Sequence, residues 1–485
     1  DVDLFSRSIE FKGIEVFPVG DSINSLNIGG ISINKFRVIP FLFNKYIILS
    51  SIGVTNPDFQ GDAGCFFERI NKPSDNDTAA QEKESSIKKI KLGSLNVDNF
   101  VFDAVNIPSV FDTMQFKGMD LSVKDVEYNL QDTMENQGVS FEKLVIKMTE
   151  ARIAPVNTLY SYDIASLFVN TSDSIIRLDS FMMVPHYNEK EFGWRNKKQT
   201  DRFNISIPFL DIKGFDIGKV LNSDKEIEIR MIHAEKPEFK IYRDKNVPFD
   251  YDNFPPLPQS AINKINIPVS IELIKINTAH IEYKELLEDG IVPGIVFLSD
   301  FNINITSFHN KIKQDVVSDD MVIHGNGRLY DAGDLNVVIT MPMNEEKDTF
   351  YYQGKLGSMA VVPINEMAVP NGKILLESGV LDSAIFKVAA NNNFANGEIK
   401  LIYRDLKLEI LKQDKIEEGK AFVSALAQAA VVSSNPKGKR PPRIGELYFV
   451  RDKNKGIINF LWKTVFSGIK ATLNPFGKAH KEGKR

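Results

Sequence analysis

Apolar and polar residues alternate with a period of two along most of this chain. The pattern is clearest in the stretch from Gly397 to Lys412, where a single interruption falls at Asp405. Such alternation is typical of a β-strand with one buried and one solvated face, whereas a helix would need a period of 3.6. Because the pattern recurs along nearly the whole chain, we expect an all-β fold built as one long antiparallel sheet. The alternating apolar residues of this stretch are Ile399, Leu401, Tyr403, Leu406, Leu408 and Ile410.

The alternation repeatedly slips by one residue and then resumes. Between Ser25 and Phe59 there are two blocks in which strand, slip and strand are followed by a proline. A slip of one residue indicates a β-bulge, which twists and curves a sheet. Prolines are tolerated where strands end. The first block is Ile31, Ile33, Phe36, Val38 and Pro40, and the second is Ile47, Leu49, Ile52, Val54, Pro57 and Phe59.

Composition excludes several classes of protein. The chain has 485 residues, 43% hydrophobic and 25% charged, as in folded soluble domains. Cys65 is the single cysteine, which excludes an internal disulfide and a cysteine-based zinc site. No apolar run approaches the ~18 residues that a transmembrane helix needs. The chain starts at Asp1, already in strand-like alternation, and we expect that an N-terminal targeting or anchoring segment has been removed.

Changes in pattern suggest the domain organisation. Residues 1–70 form a first β region, 71–86 a flexible polar loop and 87–250 a middle β region. Residues 251–262 are a proline-rich connector between the two halves, 263–415 a second β region and 416–485 a basic helical segment. Within these regions we expect a strand pair in Ser140–Pro155, a hairpin-like pair in Val269–Tyr283, a short helix at Asp216–Leu221 and a helix at Lys420–Val432.

The C-terminal segment changes to a period of 3.6, which predicts an amphipathic helix of about four turns. Residues 431–485 carry a net charge of +10, which leaves −15 on the preceding 430 residues. A cationic amphipathic helix with a tryptophan can lie in a membrane interface, through Trp462, Phe466, Lys463 and Lys470. Its apolar side can equally pack on the end of the sheet as a cap. The apolar positions are Ile458, Leu461, Trp462, Val465, Phe466, Ile469 and Leu473.

The sequence lacks the signatures of common catalytic and metal sites. The six histidines are scattered, and no HExxH, nucleophile elbow or phosphate-binding loop is present. Gly325 and Gly327 are interpreted as parts of a tight turn between strands. We therefore expect no catalytic residue, no metal and no cofactor. The basic C-terminus has no recognition motif for nucleic acid, so nucleic acid is not an expected partner.

Several segments of the second half resemble the AsmA-like proteins of Gram-negative envelopes. The likeness is best over about residues 263–474 and looser over 1–250. It rests on fold motifs and involves no catalytic residues. The segments are Ile271–Tyr283, Pro293–Phe297, His324–Leu329, Val338–Pro342, Ile374–Phe386, Tyr403–Lys407, Arg451–Lys455, Phe460–Lys463 and Ser467–Lys470.

This resemblance implies a fold and a function. The AsmA-like family belongs with the TamB-like and other bridge-like lipid-transfer proteins, which are tethered to the inner membrane by an N-terminal helix. Their periplasmic part is an elongated sheet folded into a taco-like groove with an apolar lining. The resemblance implies a non-enzymatic protein that conducts phospholipids between the inner and outer membranes, with other envelope proteins as candidate partners.

The pattern of residues agrees with such a groove, because an apolar sheet face must be covered by a second layer, by closure or by a ligand. About 20 strands at ~4.8 Å spacing would extend for ~90 Å. An ordinary core is the alternative for each lumen residue. The candidate lumen residues are Ile31, Ile33, Val38, Leu144, Ile146, Ile271, Leu273, Ile399, Leu401, Leu406 and Leu408.

Two other functions remain open on the sequence. A scaffold that assists outer-membrane protein assembly would pair its exposed strand edges with clients. A glycan hydrolase on a β scaffold would need paired carboxylates in a cleft, and the sequence supplies carboxylates without a recognisable pairing.

Overall fold

The computed structural model describes residues 2–3, 7–16, 25–64, 87–107, 110–129, 139–221, 226–310, 320–343, 348–411 and 431–474. The described residues are mainly β, with a few short helices, as the alternation predicts. They fall into two compact units. Unit 1 comprises residues 1–186 and 206–232, and unit 2 comprises residues 187–205 and 233–485. None of the described helices combines the length and apolar character needed to cross a membrane.

Long strands with short connections dominate unit 1. Its elements are β1 (Val2–Asp3), β2 (Ser8–Val16), β3 (Ser25–Asn34), α1 (Val38–Asn44), β4 (Tyr46–Asp62), β5 (Lys89–Ile107), β6 (Phe111–Asn129), β7 (Val139–Ser140), β8 (Lys143–Pro155), β9 (Tyr160–Asn170), β10 (Ile175–Pro185), β11 (Asp201–Lys213), α3 (Ile217–Leu221) and β12 (Ile227–Glu235). The chain crosses between the units within β11 and β12, so the first residues of β11 and the last residues of β12 belong to unit 2.

Unit 2 combines a second set of strands with most of the described helices. Its elements are α2 (Glu189–Asn196), β13 (Glu238–Asp244), α4 (Pro258–Asn263), β14 (Val269–Leu286), β15 (Gly294–His309), β16 (Met321–Leu329), β17 (Gly333–Met341), β18 (Phe350–Leu356), β19 (Met359–Ala360), the 3₁₀ turn Val362–Ile364, α5 (Asn365–Gly372), β20 (Ile374–Ala390), β21 (Phe394–Ile410), β22 (Ile444–Val450) and α6 (Ile457–Leu473).

Strand pairing is mixed, so the expectation of a wholly antiparallel sheet is wrong. In unit 1 β4 pairs with β5 in parallel, and in unit 2 β13 pairs with β14 in parallel. A parallel pair needs a long crossover. Residues 245–268, which include α4, form the crossover in unit 2, so the proline-rich segment lies inside that unit.

Two predicted strand pairs are single long strands. Residues Lys143–Pro155 form β8 alone, and Val269–Leu286 form β14 alone. The phase slip in each falls at a residue of positive φ, at Glu150 (48°) and at Thr278 (52°), and at Thr278 the pairing with β15 shifts register as a bulge requires. A bulge shifts the side-chain phase while the chain keeps its direction, so a slip alone does not indicate a turn.

The predicted strand through Val38 and Pro40 is also wrong, because these residues lie in α1. Lys35, with φ 54°, follows the end of β3. Pro40 occupies the first turn of the helix, where its missing N–H costs nothing. By contrast, the short helix expected near Asp216–Leu221 and the C-terminal amphipathic helix are confirmed as α3 and α6.

Some expectations concern residues outside the described ranges. These are Cys65, the polar loop 71–86, the turn at 131–138 and most of the helix expected over 420–432.

Candidate functional site: an open apolar face

Two rows of apolar side chains run across the strands of unit 1. Residues that pair across neighbouring strands share one face of a sheet, so each row lies on a single face. The two rows are two residues apart along each strand and therefore lie on the same face, which we call the apolar face. Row one is Ile9, Ile33, Ile52, Leu95, Val123 and Leu144, and row two is Phe11, Ile31, Val54, Val97, Leu121, Ile146, Val169 and Ile176.

Over β3–β6 the opposite face of the sheet carries a polar row. The row between the two apolar rows contains Ser32, Asn96 and Ser122, which also pair across the strands. The Ser122 hydroxyl donates a hydrogen bond to Asn96 Oδ1 at 2.8 Å. Over these four strands the sheet is therefore two-faced, with one side suited to water and the other suited to hydrocarbon, whereas the polar row gives way to Val145 in β8.

Bulges keep the apolar side chains on one face along the full length of each strand. Asn56 and Asn99 have φ of 48° and 53°, and they lie side by side in β4 and β5. The Asn99 amide Nδ2 donates to Asn56 Oδ1 at 2.9 Å, and its backbone N–H donates to Asp120 Oδ1 at 2.9 Å. Asn99 is an extra residue in the pairing of β5 with β6, which places Val97 and Phe100, three positions apart, on the same side. Asn56 lies at one of the phase slips from which bulges were predicted, whereas the slip after Ile33 falls where β3 ends before α1.

Beyond the bulges, the apolar face continues as a cluster of phenylalanine rings. Phe59 stacks on Phe102 with ring centroids 5.3 Å apart, and Phe102 stacks on Phe116 at 5.3 Å. Phe100 meets Phe116 edge-on at 5.2 Å. Phe59 and Phe116 are only 6% and 5% exposed, so the rings bury one another. This cluster gives the face a rigid apolar end.

The apolar face has no protein cover among the described residues. Val123 is buried, Phe11 at the edge of the sheet is exposed, and the other residues of the two rows are half-buried. Each described strand of unit 1 contacts mainly its hydrogen-bonded neighbours, and no described helix lies across the rows. Side chains that are half-buried in one layer leave apolar surface for a ligand, and the rows contain no ionisable group. The surface is therefore suited to binding a hydrocarbon chain.

Unit 2 has a similar apolar row, but that row is covered. The row runs across eight strands, and six of its members, from Ile305 to Leu447, lie in the main hydrophobic core or border it. Tyr352 is 4% exposed, and its burial raises the pKa of the phenol above the ordinary range. The Tyr352 hydroxyl donates to the Leu461 carbonyl of α6 at 3.4 Å, so the helix lies directly over the row. The row is Ile274, Ile305, Ile323, Ile339, Tyr352, Val388, Gly397 and Leu447.

The candidate lumen residues of the first half divide between two places. Ile31, Ile33, Leu144 and Ile146 belong to the two rows of the apolar face. Val38 lies in α1 with its side chain 47% exposed, and it is not part of that face.

The candidate lumen residues of the second half lie mostly in core. Ile271, Ile399 and Leu401 are buried, with exposures of 8%, 1% and 8%. Ile274 pairs with Ile305, which packs against the core, so the Ile274 side of β14 faces the core. The adjacent residue Leu273 pairs with Thr306 and therefore lies on the opposite face. Leu406 packs against the core and Leu408 is half-buried on β21. The structure therefore does not bring the eleven residues together on one surface.

The C-terminal helix α6 packs one side on the sheet and leaves the other exposed. Phe460, Thr464, Gly468 and Thr472 form its buried stripe against β21 and β22. Of the candidate membrane-contact residues, Trp462 is 52% exposed and stacks on Phe466 at 5.2 Å.

The two candidate lysines of α6 are placed differently. Lys470 Nζ lies 5.4 Å from the centroid of the Phe466 ring. Nearby protein atoms remove part of the water around both ammonium groups and lower the pKa of Lys463 and of Lys470, and the positive charge of Lys245 adds to the effect at Lys463, although the Lys463 side chain is exposed and that of Lys470 is half-buried.

A cluster of charges at the ends of β13 and β14 is the best candidate for acid–base chemistry in unit 2. Arg243 Nε lies 2.7 Å from Asp201 Oδ1, and Lys245 Nζ lies 2.9 Å from Glu285 Oε1. The Tyr283 hydroxyl also donates to Glu285 at 2.9 Å, and burial raises the pKa of Tyr283. Each carboxylate is held by a cation or a donor, which is typical of a structural ion-pair network. The described residues contain no group of three or more side chains suited to hold a metal.

Most of the apolar face is absent from the candidate lumen residues. The apolar–polar alternation is as clear around Val54, Val97 and Leu121 as around the candidate lumen residues. It does not indicate which strands a helix leaves uncovered. Pairing partners in each row, such as Val97 and Leu121, come from different strands, and only the register brings them together. No protein-family model matches the sequence, and no curated protein matches it either.

Proposed function

We propose that this protein binds lipid acyl chains on the apolar face of unit 1 and conducts phospholipids between membranes, as an AsmA-like periplasmic protein without enzymatic activity. The observation that carries the proposal is the pair of apolar rows, up to eight strands wide, that no described residue covers. The two-faced pattern and the resemblance of residues 263–474 support it. A tethering helix at the inner membrane is part of the same proposal.

The physical chemistry of the rows favours acyl chains over other apolar ligands. Each CH₂ group removed from water contributes roughly 0.8 kcal/mol, so two lipid tails bind firmly to an open apolar surface. Along each row, successive strands present similar apolar side chains, so a tail that slides from one strand to the next changes its binding energy little. A conduit needs both firm binding and a binding energy that stays nearly constant along its path.

An exposed strand edge favours a second candidate function, a scaffold for outer-membrane protein assembly. Among the described residues β2 pairs with β1 only at Ser8 and Ile9, so no described strand pairs with Phe11–Val16 on that side. Phe11 and Val16 on this edge are 50% and 46% exposed. A client strand could add to this edge through backbone hydrogen bonds.

The test is native mass spectrometry with lipid extraction, on protein purified without added lipid. We expect phospholipids that copurify with the chain and leave it only on unfolding. Val97→Asp places a charge in the middle of row two and should remove most of the bound lipid. Asn96→Asp is the matched control, because it adds the same charge to the neighbouring strand position on the polar face and keeps the Oδ1 acceptor of Ser122.

The outcomes separate the two candidates. Lipid lost in Val97→Asp and kept in Asn96→Asp, with both variants folded by circular dichroism, supports the conduit. A folded, lipid-free wild-type protein would overturn it and favour the scaffold. Equal lipid on both variants would mean that the lipid binds elsewhere than on the apolar face.

A further inference from the structure

Helix α1 presents an apolar tip to solvent at the end of unit 1 where β3 meets β4. Val38, Ile39, Leu42 and Phe43 are 47%, 71%, 59% and 82% exposed. We call these four residues the apolar tip. Phe43 is among the most exposed large apolar side chains of the described residues, although several buried clusters lie within the same unit.

The helix is held firmly with this tip pointing outward. On its inner side Phe36 and Phe41 contact each other with ring centroids 5.8 Å apart. The Arg37 N–H donates to the Ile48 carbonyl at 3.0 Å, and the Lys45 N–H donates to the Phe41 carbonyl at 3.2 Å. Lys45 has the left-handed conformation that ends a helix. The apolar tip is therefore a fixed feature of the connection.

Four cations flank the helix that carries the apolar tip. Lys35, Arg37, Lys45 and Lys88 are all exposed. Lys88 belongs to the segment before β5, and its N–H donates to the Lys45 carbonyl at 2.9 Å, which brings its backbone to the end of α1. Within the described residues none of the four forms an ion pair with a carboxylate. The next residue, Lys89, does form an ion pair, with its Nζ 2.6 Å from Glu127 Oε2.

We propose that the apolar tip and its four cations dock unit 1 on the surface of an anionic bilayer. An apolar segment ringed by lysine and arginine can insert into the headgroup boundary while the cations meet anionic headgroups. The charge complementarity favours a lipid surface over a second copy of this chain, since that copy would bring four further cations to the same place. The inference is independent of the proposed function, because docking on a surface does not require an occupied apolar face.

The first experiment measures binding to vesicles by cosedimentation. The vesicles are phosphatidylcholine, with or without phosphatidylglycerol. We expect the wild-type protein to bind only the anionic vesicles, and to bind less at high salt. The double variant Leu42→Ser with Phe43→Ser should weaken partitioning at least about tenfold. The matched control is Ile291→Ser with Val292→Ser, which removes two apolar side chains of 95% and 64% exposure from a turn of unit 2.

The second experiment tests the cations. Lys35→Glu with Arg37→Glu should weaken binding to anionic vesicles by at least about tenfold, because each basic residue near such a surface contributes about 1 kcal/mol. The control, Lys355→Glu with Lys400→Glu, reverses two charges at exposed lysines of unit 2 outside the basic C-terminal segment and should bind as the wild type does.

A third variant adds a direct readout of insertion. Phe43→Trp places an indole at the most exposed position of the tip. The wild-type protein gives the background emission of Trp194 and Trp462, which is subtracted. The remaining indole emission should shift to the blue on anionic vesicles. No shift, or no binding by the wild-type protein, overturns the proposal. Equal loss in the tip variant and the unit 2 control also overturns it. A dimer that the tip variant abolishes, without vesicle binding, would assign the tip to self-association instead.

Discussion

Asparagine and aspartate residues in the left-handed conformation decide where the long strands of this protein bend. Asn56, Asn99 and Asp405 have φ near 50° in the middle of β4, β5 and β21. Short polar side chains tolerate this conformation because they form local hydrogen bonds, whereas residues branched at Cβ adopt it only with strain, and Thr278 in β14 is one such case. Each of these residues sits where the apolar alternation slips by one position, so a single backbone conformation keeps the apolar side chains on one face.

Asn99 provides a test of this role. Asn99→Gly and Asn99→Val both lose the amide contact with Asn56, so the difference between them isolates the backbone. We expect Asn99→Val to be less stable than Asn99→Gly by about 1–2 kcal/mol, because valine is strained at φ 53°. Urea denaturation of the two variants measures the difference. Equal stability would mean that the bulge relaxes without cost.

A second residue-scale feature is the ion pair that anchors β11 in unit 1. The Asp211 side chain is 4% exposed, and Arg177 Nε lies 2.9 Å from Asp211 Oδ1. Burial by itself raises the pKa of Asp211, but hydrogen bonds from Arg177 and Lys213 outweigh burial and hold that pKa below its usual range. The folded state therefore prefers the ionised carboxylate.

This preference predicts how stability depends on pH. The contribution of Asp211 is fully present above the unfolded pKa of about 3.9 and is lost as the pH falls through the lower folded value. We expect Asp211→Asn to destabilise the protein by about 2 kcal/mol at neutral pH, and the gap to the wild type to narrow below about pH 4. Denaturant unfolding of both proteins at several pH values measures the difference in their unfolding free energies. Asp252→Asn, at a carboxylate that is 96% exposed, should leave stability within about 0.5 kcal/mol.

At the scale of elements, α6 shows how small residues set a packing distance. Its buried stripe includes Thr464, Gly468 and Thr472. A Cβ on Gly468 would lie 2.3 Å from Leu447 Cδ2 and 2.6 Å from Ile399 Cγ2, so the helix backbone lies directly on the strands. The two threonine hydroxyls donate to carbonyls one turn earlier, at 2.8 and 2.9 Å, which allows their burial.

Gly468→Leu should disrupt this contact. We expect a loss of at least about 2 kcal/mol in unfolding free energy, because the helix has to move away from Leu447 and Ile399. Ile458→Ala on the same helix removes a side chain that is 73% exposed and should be nearly neutral. Thermal denaturation of the two variants compares them directly. A stable Gly468→Leu protein would indicate that α6 can sit further from the sheet.

The largest contrast in the molecule is between the two units, each taken by itself. The apolar row of unit 2 is closed by α6 and by the main hydrophobic core, whereas the apolar face of unit 1 has no described cover. A ligand that binds only the folded state adds to its stability. Unit 1 should therefore depend on bound lipid more than unit 2 does.

Hydrogen exchange read by mass spectrometry can test this difference. Removing lipid with mild detergent should speed amide exchange in β3–β9 of unit 1 and leave β17–β21 of unit 2 unchanged. The covered unit thus serves as the internal control. Equal acceleration in both units would contradict a lipid-dependent unit 1.

Part of the candidate site could be predicted from the sequence. Alternation alone points to Ile31, Ile33, Leu144 and Ile146, and they do belong to the two apolar rows. Ile399 and Leu401 alternate just as well, yet they are buried, with α6 packed against their strand. Alternation reports that one face of a strand is apolar, and it carries no information about what packs on that face.

The sequence by itself determined the β class, the phase slips that became bulges, and the amphipathic helix near the C-terminus. These features depend on neighbours within a few residues, where side-chain period and backbone preference act directly. Only the tertiary structure decided that Val269–Leu286 is one strand, that β4 and β5 run in parallel, and that α1 interrupts a strand-like pattern. It also decided which apolar face is covered, because cover depends on residues far apart in the chain that meet only after folding.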